Sequence, residues 1–165
     1  MMSRQPVQIR KAALNDAELL ARLNASVQRL HYEARPDIFK PPELNDEIIA
    51  WYAELLKQPE NHFFIAEAEG RAVGYVGAKV VRQPATPFTV AMDGVLIDQI
   101  SVNDDQRGKG YGAALMQAVV DLARTKKINR ITLGVWDFNN HAIEFYKRQG
   151  WRVYTERMEI LVESG

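Results

Sequence analysis

The stretch that most restricts this chain runs from residue 98 to residue 115, Asp-Gln-Ile-Ser-Val-Asn-Asp-Asp-Gln-Arg-Gly-Lys-Gly-Tyr-Gly-Ala-Ala-Leu. A strand-like run, Val95 to Val102, enters a polar loop, and helical periodicity begins on its far side. Arg107-Gly108-Lys109-Gly110-Tyr111-Gly112 stands at the join. Three glycines in five positions would weaken the inside of a helix, where each costs about 1 kcal/mol relative to alanine. At the mouth of a helix, the lack of Cβ atoms lets the amides of Gly108, Gly110 and Gly112 come close to a ligand. Helix N-terminal N–H groups and the dipole there favour a phosphate. Arg107 and Lys109 add positive charge for the same anion, and a flexible surface turn is the plain alternative.

Two phosphate-binding patterns compete. A Walker A loop is excluded, because no Gly-Lys-Ser/Thr occurs in the chain. A dinucleotide fingerprint is closer, since Gly108, Gly110 and Ala113 satisfy G-x-G-x-x-A and Asp137 follows 25 residues after Gly112. In that fold the first glycine follows its strand almost at once, whereas Asn103 to Arg107 intervene here. Only 28 residues remain after Asp137, too few for the rest of a doubly wound sheet.

The remaining pattern is α/β. Val7, Ile9 and Arg10 suggest an opening strand. Asn15 is the expected cap of a first helix with Leu19, Leu23, Val27 and Leu30 inward. The region from His31 to Asn45 holds three of the seven prolines and reads as an ordered loop. Asn45 or Asp46 starts a second helix, with Ile48, Trp51, Tyr52, Leu55 and Leu56 inward. His62–Ala68 and Ala72–Val81 read as a hairpin around Glu69-Gly70-Arg71. A proline-bearing loop, Arg82 to Met92, leads to the strand Val95–Val102. Residues 109–126 form a helix with Leu115, Val119 and Leu122 inward. Ile131–Trp136 reads as a strand, Asn140–Gln149 as a helix stopped by Gly150, and Trp151–Val162 as a closing strand. That order predicts a mixed sheet with packed helices.

The 165 residues predict a single domain, 1–165, large enough to bury about 70% of its unfolded surface. There is no cysteine, which removes disulfides, thiolate metal sites and Cys nucleophiles; three scattered histidines show no metal-ligand spacing. Lys plus Arg and Asp plus Glu are both 21, so the basic excess of a nucleic-acid binder is missing. No apolar run approaches the roughly 20 residues that cross a membrane, and no apolar segment precedes the first charges as in a signal peptide. The expectation is a cytoplasmic protein with no nucleic-acid or membrane partner and no metal.

Two motifs together resemble the GNAT superfamily of acyl-CoA-dependent N-acyltransferases. Arg-Gly-Lys-Gly-Tyr-Gly is similar to its R/Q-x-x-G-x-G/A signature. Asn139-Asn-His-Ala142-Ile-Glu-Phe145-Tyr146-Lys-Arg-Gln-Gly150-Trp151 resembles its N-x-x-A-x-x-F-Y-x-x-x-G-F/W motif. They cover about residues 95–155, in the family's order and at its distance. The resemblance implies a mostly antiparallel twisted sheet flanked by about four helices and splayed after the fourth strand, at Val102. It implies acetyl-CoA as acyl donor, with its pyrophosphate on the turn formed by Arg107, Gly108, Lys109, Gly110, Tyr111 and Gly112. The pantetheine arm would run along Ile100, Ser101 and Val102, hydrogen-bonded by Asn139 and passing Ala142. Without the resemblance, Ile100 and Val102 are core residues and Asn139 is a helix cap.

Tyr146 matches the family tyrosine near the thioester sulfur. An unperturbed phenol, pKa about 10, is protonated at neutral pH and can donate to the departing thiolate; a packed aromatic is the alternative. The amine acceptor must lose a proton before it attacks. Asp98, interrupting an apolar strand, is the candidate base, directly or through one water, against the alternative of a solvated or bulge-capping acid. His31 and His141 rank behind it. The implied reaction is direct transfer of an acetyl group to a primary amine in a ternary complex, the acceptor being a small molecule. A protein or peptide acceptor and a non-catalytic CoA-binding regulatory module are the rivals. The loops His31–Asn45 and Arg82–Met92 would set acceptor identity; Tyr32, Glu33, Asp37 and Phe39 of the first could hold a cation, although a structural elbow is the favoured reading of that loop. A homodimer is common in the family, and exposed aromatics near Trp136 or Trp151 could serve one.

Overall fold

The structure is a computed structural model that describes residues 6–163. These fall into two compact units divided after Gly134. The first holds β1 (Gln8–Lys11), α1 (Ala17–Ala34), α2 (Asp46–Lys57), β2 (Asn61–Ala68), β3 (Arg71–Gln83), β4 (Met92–Val102), α3 (Tyr111–Thr125) and β5 (Ile131–Leu133). The second holds α4 (Asn140–Arg148). The five strands lie in the order β1-β2-β3-β4-β5, antiparallel except for the parallel pair β4–β5. This is the mixed, mostly antiparallel sheet with four helices that the motif order implies.

Alternation along the strands gives the sheet two apolar faces. Phe63, Ile65 and Tyr75 meet Ala17, Leu20, Ala21 and Leu23 of α1 and Tyr52 of α2 in one buried cluster. The other face, with Val76, Ala78, Val80, Val95 and Ile97 buried, is left to α3, which lies against β2, β3 and β4. Two helix stripes differ from expectation. In α1 the buried residues include Leu20 and Ala21, while Val27 and Leu30 are only partly buried. A 3-10 turn over Leu14–Asp16 precedes the helix, so Asn15 is not its cap. The Asp16 carboxylate instead accepts from the Ala13 N–H at 2.7 Å and from Arg10 at 2.7 and 2.9 Å. In α2, Asn45 caps as expected, accepting from the Ile48 N–H at 3.0 Å. Trp51, however, is 48% exposed, and Tyr52 takes the inward position.

The sheet is narrower at its far edge than expected. The β4–β5 ladder pairs only Val95–Ile97 with Ile131–Leu133. The parting of the two strands therefore begins after Ile97, not at Val102, and β4 runs on from Asp98 without a strand partner on that side among the described residues. The closing strand expected over Trp151–Val162 is absent: no strand is formed there among the described residues. A strand needs a neighbour to pair its N–H and C=O groups, and alternating apolar residues alone do not supply one. Val153, Tyr154, Met158, Ile160, Leu161 and Val162 are accordingly exposed.

Candidate active site

The first unit gathers two features at β4. One is a bulge. Ile97 lies opposite Ala78 and Gln99 opposite Gly77, so Asp98 has no partner on β3. The extra residue breaks the period of two. Unbroken alternation would put Asp98 on the face of Leu96 and Ile100, and the bulge removes it from that arrangement. It is exposed and makes no hydrogen bond or ion pair among the described residues. The bulge also turns Gln99 to the helix-covered face. There its Oε1 accepts from the Tyr52 hydroxyl at 2.8 Å and the Tyr75 hydroxyl at 2.6 Å, with 2.8 Å between the two phenols. Asn24 Nδ2 donates to the Tyr52 oxygen at 2.9 Å. Burial pushes the Tyr52 phenol up to about 12, opposed by the hydrogen bonds from Tyr75 and Asn24, with the Asp98 charge adding to the rise. Burial also raises Tyr75 well above the usual phenol value, with contributions from Tyr52 and Asp98. Both phenols stay neutral, and the acid at the bulge lies near enough for each to feel it.

The second feature is the glycine turn. A 3-10 turn, Asp104–Gln106, leads from β4 into it, and α3 starts at Tyr111 with Gly110 as its cap residue. Gly108 has φ 73° and Gly110 φ 88°, the left-handed region that favours glycine. A Cβ at either would meet nothing within 4 Å, so the backbone there is bare. The Arg107 N–H donates to the Asp104 carbonyl, and the next amide to find an acceptor is Ala114, on Gly110 O at 3.1 Å. Among the described residues, the six successive amides from Gly108 to Ala113 donate to nothing. A row of unpaired N–H groups running into a helix mouth is a ready anion cradle. Arg107 is paired with Asp104 at 2.8 Å, and Lys109 Nζ donates to Gln106 at 3.0 Å, so both cations are held at the turn by exposed, exchangeable contacts. Ile100 and Val102 are partly buried, and Ser101 is buried with its Oγ unpaired.

In the second unit Asn139 is the α4 cap, its Oδ1 accepting from the Ala142 N–H at 3.2 Å. Ala142 is partly buried on the first turn of that helix. Tyr146 is buried, 9% exposed, with its ring beside Phe145 and Trp151. Burial pushes its phenol up to about 12. Its hydroxyl makes no hydrogen bond among the described residues. Gly150, φ 86°, ends the helix as expected. His31 stacks on Phe39 with centroids 4.8 Å apart, and burial lowers its pKa. Asp37 is engaged by Arg35 at 2.7 and 2.9 Å, as a structural elbow would have it. Among the described residues no cluster could hold a metal ion, and no helix is long and apolar enough to cross a membrane.

The pattern of the Acetyltransferase (GNAT) family matches residues 24–151. The chain belongs to that family. It is thereby an acyl-CoA-dependent N-acetyltransferase. Its relatives include a Bacillus subtilis (strain 168) protein provisionally named a ribosomal protein bS18 alanine N-acetyltransferase, 28% identical over 81% of this chain and 80% of that one. The L-methionine sulfoximine/L-methionine sulfone acetyltransferase of Pseudomonas aeruginosa is 28% identical over 63% of this chain and 58% of its own length. A crystal structure of a mutant BH1408 protein from Bacillus halodurans superimposes with TM-score 0.88 at 27% identity, covering 94% of this chain and 99% of that one. Sequence reasoning reached the GNAT motifs but missed Gln99, Tyr52, Tyr75 and Asn24 as a group. The available signal was two tyrosines in otherwise apolar inward patterns, since a buried phenol requires a partner.

Proposed function

We propose that this chain, residues 1–165 acting as one domain, transfers the acetyl group of acetyl-CoA to a primary amine by direct attack in a ternary complex. The row of six unpaired amides from Gly108 to Ala113 carries this reading, because a diphosphate satisfies them and few other ligands do. Lys109 and Arg107 supply charge, Tyr111 and Gly112 supply amides, and β4 from Ile100 to Val102, paired with β3 on one side only, offers the backbone groups of its other edge to pantetheine. Asn139 and Ala142 border that arm in the family pattern. Asp98, exposed at the bulge, takes the ammonium proton of the acceptor directly or through one water. The neutral amine attacks the thioester carbonyl and the C–S bond breaks; Tyr146 gives its proton to the departing thiolate, and the proton shed by the new amide nitrogen restores the phenol. Burial raises the phenol to about 12, which keeps it protonated at neutral pH, the state from which a proton is given, and makes it a weaker acid than an ordinary phenol. The acceptor is a small molecule and the location cytoplasmic.

Gly110 is a poor place to test the cofactor site, because any side chain there is strained by φ 88° whatever its charge. Lys109→Glu puts an anion at the same turn without that strain. Its affinity for CoA, by calorimetry, should fall about tenfold or more, each 1.4 kcal/mol of lost phosphate attraction being tenfold. Undiminished affinity in the folded variant would remove the turn from the cofactor site.

A further inference from the structure

The polar cluster beneath the bulge contains fewer protons than contacts. Three oxygens, Tyr52 Oη, Tyr75 Oη and Gln99 Oε1, lie 2.6–2.8 Å apart, and only two phenolic protons are available to them. Asn24 Nδ2 donates into the group from outside. However the two protons are shared out, a fully paired chain of donors ends on Gln99 Oε1. Reversing the whole chain would require Asn24 Oδ1 to accept from Tyr52. That would exchange one unpaired buried carbonyl oxygen, the present Asn24 Oδ1, for an unpaired buried amide nitrogen. Orphaned N–H groups are the rarer and costlier defect. The amide of Gln99 is therefore oriented: its oxygen points in, and its nitrogen is left with two N–H groups.

Those two donors have no partner among the described residues, and Nε2 is not among the fully buried unpaired atoms. Gln99 itself is partly exposed. The next residue is Asp98, the acid of the bulge. The bulge thus carries an anion on one residue and an oriented neutral N–H donor on the next, both acting on the same two phenols. An amine alone satisfies only the first. A polyamine would be better served by a second acid where Gln99 stands.

We infer that Gln99 determines acceptor specificity, and that the acceptor is an α-amino carbonyl compound, with a carbonyl or carboxylate group attached directly to its amine-bearing carbon. This rests on the acetyl-transfer reading and narrows its small-molecule acceptor to α-amino acids and their amides. The amine meets Asp98 while its neighbouring oxygen accepts from Gln99 Nε2. The two phenols and Asn24 hold the amide in that orientation, and they touch no substrate.

The test compares alaninamide with propargylamine, an amine of similar basicity without the oxygen, by CoA thiol release per concentration of free amine. The wild type should favour alaninamide about two- to tenfold, the worth of one net hydrogen bond. Gln99→Glu keeps an oxygen for the phenols to donate to and loses both outward donors, so the preference should vanish. Equal rates with the two amines, or a preference that survives Gln99→Glu, would overturn the inference while leaving acetyl transfer intact. If neither amine releases thiol, the acetyl-transfer reading fails for this class of acceptor. The Gln99 side-chain amide resonance of the CoA-saturated protein then decides: a shift with alaninamide alone supports the contact, and no shift overturns it. Alanine and an alanine-initiated peptide, added as further arms, test the restriction to small molecules, which a preference for the peptide would overturn.

Discussion

Tyr146 and Asp98 divide the proposed chemistry between one buried group and one exposed group. The Tyr146 hydroxyl makes no hydrogen bond among the described residues, so Tyr146→Phe removes no such contact. Its thermal midpoint and CoA affinity should match the wild type, while turnover falls about a hundredfold or more, the usual scale for general-acid loss. Wild-type turnover, measured where chemistry limits the rate, would reduce Tyr146 to packing. Asp98 sits on an unpaired bulge residue, so Asp98→Asn should cost little stability. Its defect in kcat/KM should be largest at low pH, where the acceptor is mostly protonated, and should shrink as pH nears the acceptor's own pKa. Profiles that stay parallel would mean that Asp98 positions the amine and moves no proton. The acid itself was legible as an oddity in an apolar strand. Its placement was not, because one bulge reverses the side-chain alternation and leaves no local mark in sequence.

At the scale of elements, the bulge has a structural counterpart in Gly77, opposite Gln99. A Cβ there would lie 2.6 Å from the Phe63 ring, which is stacked at 6.5 Å on Tyr75. The ring has little freedom to move, so Gly77→Ala should destabilise by about 1–3 kcal/mol, read from the urea midpoint, the usual cost of overpacking. An unchanged midpoint would show that the β2–β3 face is looser than its contacts indicate. A second element-level device is the entry to α1. Hydrogen bonds from the Arg10 guanidinium, with the Ala13 amide assisting against burial, hold Asp16 below the ordinary carboxylate range. A lowered folded pKa contributes stability above the unfolded value, about 3.9, and loses it as pH falls through the folded value. Asp16→Asn should therefore cost about 1–3 kcal/mol at pH 7, on the scale of charge-assisted hydrogen bonds, with the gap to wild type closing below about pH 4. A gap independent of pH would assign the loss to shape instead of charge. This turn also explains the misplaced helix start, since Asn15 has the right chemistry for a cap but Asp16 has the partners.

For the whole molecule, the order of elements along the chain up to α4, the helix count and the two GNAT motifs were readable because each rests on local signals: period, turn residues and glycine spacing. The features that were not readable depend on partners distant in sequence. The closing strand over Trp151–Val162 had the right alternation and found no neighbour. The expected parting at Val102 moved to Ile97 because Ile131–Trp136 contributes only three paired residues. Gln99 gains its meaning from Asn24, Tyr52 and Tyr75, which lie 24 to 75 positions away. Acetyl transfer without a covalent enzyme intermediate is decided by when the thiol appears. The protein is mixed with a substoichiometric amount of acetyl-CoA, and free thiol is followed before and after alaninamide is added. The account predicts no thiol until the amine arrives, then release matched one-for-one by N-acetylated amine. Stoichiometric thiol release before any amine is added, leaving an acetylated protein, would contradict it.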